Sequence, residues 1–101
     1  MPTQLRRYTI NRGRLDDFAA AWRAGVYPLR QELGFRIEGA WTIGEHNEFV
    51  WILSYDGPLD WKDAEAAYYG SPQRAALDPD PAQWIARAEH WFLTSVLPSP
   101  A

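Results

Sequence analysis

Residues 48–56, EFVWILSYD, restrict the architecture more than any other stretch of the chain. In an extended backbone successive side chains point to opposite faces, so Phe49, Trp51, Leu53 and Tyr55 share one side while Val50 and Ile52 take the other. A strand that is apolar on both sides must be covered on both sides. With 101 residues and 11.6 kDa the chain has room for one compact domain, 1–101, and its 47% hydrophobic content can build a core. The question is what covers the second face.

The remaining elements limit the answer. TQLRRYTI alternates as a first strand, with Arg6, Tyr8 and Ile10 on one face and Leu5, Arg7 and Thr9 on the other. NRGRLDDF then turns the chain, Gly13 serving as N-cap and Asp16 and Asp17 placing negative charge where the helix dipole favours it. Leu15, Phe18, Trp22, Val26, Leu29 and Leu33 follow at spacings of 3, 4, 4, 3 and 4, a single apolar stripe that Gly34 terminates. Pro28 lies inside the stripe, lacks a backbone donor, and predicts a kink over residues 24–27.

FRIEGAWTIG and EFVWILSYD read as the next two strands, joined by a tight turn around Gly44 to Asn47. In the first of them Phe35, Ile37, Trp41 and Ile43 alternate with Arg36, Glu38 and Thr42, which makes it a half-exposed edge beside a central third strand. DGPLDWKDAEAAYY opens a second helix with Pro58 at its first position and Trp61, Ala64 and Tyr68 inward. Ser71 before Pro72 caps a short further segment through Leu77, and Asp80 with Pro81 and Gln83 repeats the device as a capping box. AEHWFLTSVL is a fourth strand, with Trp91, Leu93 and Leu97 against His90, Phe92 and Val96, and PSPA is a loose tail.

The order strand, helix, strand, strand, helix, strand is the α+β ferredoxin-like βαββαβ pattern: a four-stranded antiparallel sheet with its helices on one face. The other face then needs a cover. A second copy supplies it most economically, because a two-fold interface requires only a self-complementary surface, and a homodimer is the expectation. Ten basic residues, scattered among thirteen acidic ones for a net charge of −3, leave no footprint for nucleic acid. No run of apolar residues is long enough for a membrane span, no cysteine is present, and the start MPTQLRRYTI lacks the apolar run of a signal peptide. A soluble, cytoplasmic protein is expected.

LRRYTINRGRLDDFAAAW, the proline in the first helix, GFRIEGAW and WILSYD together resemble the NIPSNAP family, within the wider group of dimeric α+β barrel proteins, from about Leu5 to Asp56. The resemblance implies a ferredoxin-like dimer and no defined reaction. Relatives in the wider group include cofactor-free oxygenases, heme-degrading oxygenases and dehydratases that bind ligands between sheet and helices. Carried to this chain, that location makes Arg6, Tyr8, Trp51 and Tyr55 the sheet wall of a pocket, closed from the helices by Trp22, Trp61 and Tyr68. An aromatic box with one cation suits a small planar or acidic molecule. The alternative is that these aromatics fill a core and the chain is a non-enzymatic homodimeric interaction module.

Other chemistry has little to stand on. The two histidines are His46, on a turn, and His90, on a strand, where it could serve as a general base but more often is structural or exposed. Neither meets carboxylates at metal-ligand spacing, so no metal and no cofactor are expected. Heme-degrading relatives carry an iron-ligating histidine on the helix after the third strand; the matching stretch here, SPQRAALD, has none. The carboxylates of DAE and DPD read as a solvated helix face and as caps. No glycine-rich phosphate loop and no nucleophile triad are present.

Overall fold

The computed structural model describes residues 1–98; the last part of the PSPA tail lies outside them. Thr3–Ile10 forms β1, Phe35–Ile43 β2, Glu48–Tyr55 β3 and Ile85–Phe92 β4. They make a four-stranded sheet in the order β2-β3-β1-β4, with every neighbouring pair antiparallel. Helical segments join β1 to β2 and β3 to β4, giving the ferredoxin-like α+β fold. The strand with two apolar faces, β3, is central, and β2 is an edge.

Parity decides which face the helices cover. Gln4, Arg6, Tyr8 and Ile10 are buried on β1, and Phe49, Trp51, Leu53 and Tyr55 on β3. Arg6 pairs in register with Trp51 and Tyr8 with Phe49, so the two sets form one inner face. Phe18, Trp22, Val26 and Leu29 from the first helical segment and Ala64 and Tyr68 from the second pack upon it. Burial of each large apolar side chain contributes about 1.5–3 kcal/mol, which makes this layer the main source of stability.

The first helical segment is α1 (Leu15–Ala21), a π-helical turn (Trp22–Val26) and α2 (Tyr27–Glu32). The irregularity expected from Pro28 takes the form of the π turn, in which the Tyr27 N–H bonds back to the Trp22 carbonyl. Pro28 has no N–H to offer a regular helix, and a wider turn just before it relieves the clash between its ring and the preceding carbonyls. Gly13 is not the cap. Arg14 holds that position without a side-chain bond, while Gly13 takes a φ of +78° in the turn ahead of it. Gly34, at φ +93°, closes α2.

The second helical segment begins later than Pro58. Asp60 caps α3 (Trp61–Tyr69), its carboxylate accepting from the Asp63 N–H at 2.8 Å, a stronger start signal than the proline. Ser71 Oγ accepts from the Arg74 N–H at 3.1 Å and caps α4 (Pro72–Ala75). Asp80 caps a 3-10 turn (Pro81–Trp84) through the Ala82 N–H at 2.9 Å; Gln83 donates its backbone N–H to the Asp80 carbonyl at 3.2 Å, and its side chain does not close the expected capping box.

Two strands depart from the sequence reading. The register of β2 shifts between Ile37 and Gly39, and the extra residue turns everything after it to the opposite face. Phe35 and Ile37 pair with Tyr55 and Leu53 on the inner side, whereas Trp41 pairs with Val50 on the outer side and is 52% exposed. β4 starts at Ile85 rather than Ala88 and ends at Phe92, since residues 94–98 find no neighbouring strand.

The helix-free face carries an apolar row across all four strands, Gly39, Ile52, Leu5 and Trp91 being successive register partners. Val50 and Ile52 are half-buried there. Beside the row, Arg7 lies 3.0 Å from Glu89 and 3.7 Å from Glu48, with its guanidinium 5.2 Å from the Trp91 ring centre.

Candidate functional site

Strand alternation puts Arg6 on the inner face, among aromatic side chains, where an unpaired guanidinium would be costly. Glu65, on α3, receives its Nη2 at 2.6 Å. From sequence Glu65 belongs to a solvated helix face; in the structure it is the centre of a largely buried cluster. Arg30, on α2 and 1% exposed, donates to the same Glu65 Oε1 from Nη1 at 3.0 Å and to Oε2 from Nη2 at 3.4 Å. Tyr69 accepts from both guanidiniums, at 3.2 Å from Arg6 and 3.3 Å from Arg30, and Gln4 Oε1 accepts from Arg6 Nε at 2.7 Å.

Aromatic rings enclose the charges. The Arg30 guanidinium stands 3.7 Å from the Tyr68 ring centre and 4.6 Å from that of Phe35, and Trp51 lies within 5.3 Å of Arg6 and 5.6 Å of Arg30. Such contacts favour a desolvated cation. Burial by itself lowers the pKa of Arg6, but Tyr8, Glu65 and Tyr69 together outweigh it and raise the pKa above the ordinary arginine value. Burial raises the Tyr8 phenol, against the pull of Arg6, and raises Tyr68 against Arg30 and Arg74. Two guanidiniums thus share one carboxylate. The cluster holds a surplus positive charge.

Next to the cluster is a cavity of about 80 Å³. Tyr8 and Trp51 line it from the sheet, and Phe18, Trp22, Val26, Arg30, Tyr68 and Tyr69 from the helices. Arg74, Pro81, Ala82 and Ile85 complete the wall, Arg74 being tied to Asp80 at 3.1 Å. Four buried polar atoms of the lining residues have no hydrogen-bond partner: Trp22 Nε1, Trp51 Nε1, Arg30 Nε and the Tyr68 hydroxyl. Each can donate.

Of the residues proposed from sequence, Tyr8, Trp22, Trp51 and Tyr68 meet at this cavity. Arg6 stands behind it, held by Glu65. Tyr55 and Trp61 do not reach it. They lie at the Phe35 end of the same aromatic core, with ring centres 5.0 and 5.8 Å from Phe35, which meets the cavity residue Tyr68 at 6.4 Å, and Trp61 also packs edge-on against Phe92 at 5.3 Å. His46 lies on the turn, 66% exposed, and His90 is exposed on β4. Among the described residues no group of histidine, aspartate or glutamate could hold a metal ion, and no helix is long and apolar enough to cross a membrane.

Sequence reasoning missed Arg30, Glu65 and Tyr69. The signal existed in spacing: Arg30 lies one turn after Val26, and Glu65 lies one turn after Trp61 and one before Tyr69.

The NIPSNAP family model matches residues 3–100. The chain belongs to the NIPSNAP family. The match extends well past the Leu5–Asp56 stretch in which the resemblance is legible by eye. An uncharacterized NIPSNAP domain protein from Burkholderia xenovorans is 22% identical, with a TM-score of 0.82 and 100% of both chains covered. A NIPSNAP family protein of unknown function from Agrobacterium tumefaciens is 21% identical, with a TM-score of 0.81, covering 99% of this chain and 92% of that one. A candidate antibiotic biosynthesis monooxygenase from Nitrosomonas europaea is 14% identical at a TM-score of 0.68, covering 96% and 100%. Identities this low speak for a shared fold. None of the curated proteins matches this NIPSNAP chain in sequence.

Proposed function

We propose that this NIPSNAP protein binds a small acidic molecule, without a cofactor, in the cavity between its sheet and helices, and that it does so as a cytoplasmic homodimer. The observation that carries the first part is the charge imbalance: Arg6 and Arg30 share Glu65 beside a cavity whose lining residues bear buried donors without acceptors. A desolvated surplus cation is costly, and an anion in the cavity would neutralise it with charge-assisted hydrogen bonds. Thermal-shift titration of the wild type and Arg6→Met with benzoate tests the reading. Stabilisation of the wild type that is lost in the variant supports it, and equal responses, or none, defeat it.

The homodimer rests on the helix-free face, where the Gly39–Ile52–Leu5–Trp91 row is apolar and has no helix over it. Conversion of the bound molecule is the enzymatic form of the proposal, and it draws only on the fold shared with antibiotic biosynthesis monooxygenases. The second reading, an interaction module with a filled aromatic core, is favoured by the packing of Tyr8, Phe18, Trp22, Phe49 and Trp51. Their rings touch edge-on or tilted at 4.9–6.4 Å, and the cavity beside Tyr8, Phe18, Trp22 and Trp51 is small, about 80 Å³.

A further inference from the structure

We infer that the cavity is specific for a compact monoanion that only accepts hydrogen bonds, a carboxylate on no more than one ring, and that the site holds it without exchanging a proton. This inference rests on the anion-binding reading above and specifies its ligand.

Size is the first constraint. A cavity of about 150 Å³ is known to accept benzene. The cavity here is about 80 Å³, so a single ring enters only with slight breathing of the wall. A fused pair of rings would have to leave its second ring outside the mouth or displace Trp22 or Trp51, and these are set against each other at 5.3 Å with their planes 73° apart. Both are buried, so neither has room to swing away.

Charge is the second. Of the cations at the site, Arg74 is already matched by Asp80, while Arg6 and Arg30 have one carboxylate between them. One further negative charge balances the set. A second would be as unwelcome as none.

Hydrogen-bond polarity is the third. Indole N–H groups donate and never accept, and the same is true of a guanidinium. The Tyr69 hydroxyl already accepts from both Arg6 and Arg30, so both its lone pairs are engaged and what remains to it is its own proton. No lining residue is a carboxylate, an amide or an imidazole. The Tyr8 and Tyr68 hydroxyls can turn either way, so an N–H or O–H brought by a ligand finds an acceptor only there and sets donor against donor at the two indoles and Arg30.

The same inventory bears on chemistry. Glu65 has both oxygens occupied by guanidiniums, Asp80 is held by Arg74 and the Ala82 N–H, and His90 sits exposed on β4 outside the lining. No lining side chain is placed to take a proton from the ligand as a general base. The bound acid keeps its protonation state.

The test is calorimetry on the full-length wild type with benzoate, benzamide, benzylamine, 2-naphthoate and phthalate, repeated for benzoate in two buffers of different ionisation enthalpy. Benzoate is expected to bind at least about tenfold tighter than each of the others, with no net proton uptake or release. Tyr68→Phe, which keeps the ring and loses one donor, is expected to weaken benzoate by about tenfold. Equal or tighter binding of 2-naphthoate overturns the size limit, that of phthalate the monoanion, and that of benzamide or benzylamine the acceptor-only rule. A net proton transfer near one equivalent overturns the claim that none is exchanged. Unaltered binding in Tyr68→Phe overturns the donor role. The anion pocket itself survives the 2-naphthoate, phthalate, proton-transfer and Tyr68→Phe outcomes, whereas benzamide or benzylamine matching benzoate, or failure of all five compounds to bind, removes the pocket and this inference with it.

Discussion

Arg6 and Arg30 stand on different elements of the fold, β1 and α2, and are joined through a single atom, Oε1 of Glu65, at 2.6 and 3.0 Å. The carboxylate therefore ties sheet to helix and also neutralises half the charge around it. Removing one partner of a buried ion pair costs more than the pair itself is worth, because the remaining charge is stranded. Glu65→Gln keeps the size and strands two guanidiniums. A loss of about 3–5 kcal/mol in urea-denaturation stability is expected, and a change within 1 kcal/mol would show that the cluster is solvated in solution.

Arg6→Met should behave in the opposite manner. It retains much of the stem's packing and leaves Arg30 and Glu65 as a one-to-one pair, so denaturation midpoints should move little. Affinity for benzoate should fall by roughly 1.5–3 kcal/mol, tenfold or more, because the surplus charge is gone. Calorimetry and denaturation on the same preparation separate the two effects.

Alkaline pH should unfold the protein through Tyr8 and Tyr68. Both have folded-state pKa values raised above 10.0 by burial, whereas in the unfolded chain they ionise at the ordinary value. Between those limits the folded state holds protons that the unfolded state has released, so stability is full below about pH 10 and falls as pH rises toward the folded values. The slope is at most about 1.4 kcal/mol per pH unit for each group. Urea titrations from pH 8 to 11 on the wild type, Tyr8→Phe and Tyr68→Phe should show a shallower decline in each variant.

The helix-free face should associate. Light scattering at micromolar concentration is expected to give twice the mass of the chain, and Ile52→Asp, in the middle of the apolar row, should yield monomers or unfolded protein. Lys62→Asp, a charge change on the opposite, helical side of the molecule, should leave the assembly intact. A monomeric wild type of high stability would contradict the homodimer.

Much of this molecule can be read from its sequence where one face is dry and the other wet. The alternation of Arg6, Tyr8 and Ile10, the Phe18–Trp22–Val26 stripe and the stop at Gly34 all obey local periods, and the structure keeps each of them. What stayed hidden depends on meetings between distant segments. Glu65 on its own helix is indistinguishable from a solvated carboxylate, and only an arginine 35 positions earlier makes it a core residue. The bulge after Ile37 reversed the expected side of Trp41, because its cause is the pairing with β3 and not a motif within β2. Tyr55 and Trp61 were assigned to the pocket by face alone. A face of the sheet is long enough for one aromatic core to run on past the cavity, and these two lie at its Phe35 end.

The π turn at Trp22–Val26 amounts to one residue more than a regular helix would use over the same span. Losing a single codon there would let the segment close into regular α-helix, and because the wide turn spends one more residue on about the same rotation, all that follows would keep its face relative to α1. Arg30 would then stay opposite the carboxylate it shares with Arg6, whereas a codon lost from the regular helix on either side would swing it by about 100°. Among NIPSNAP sequences, a one-position gap opposite residues 22–26 should thus leave the charged cluster standing, and the same gap elsewhere in this segment should mark lineages that have discarded it.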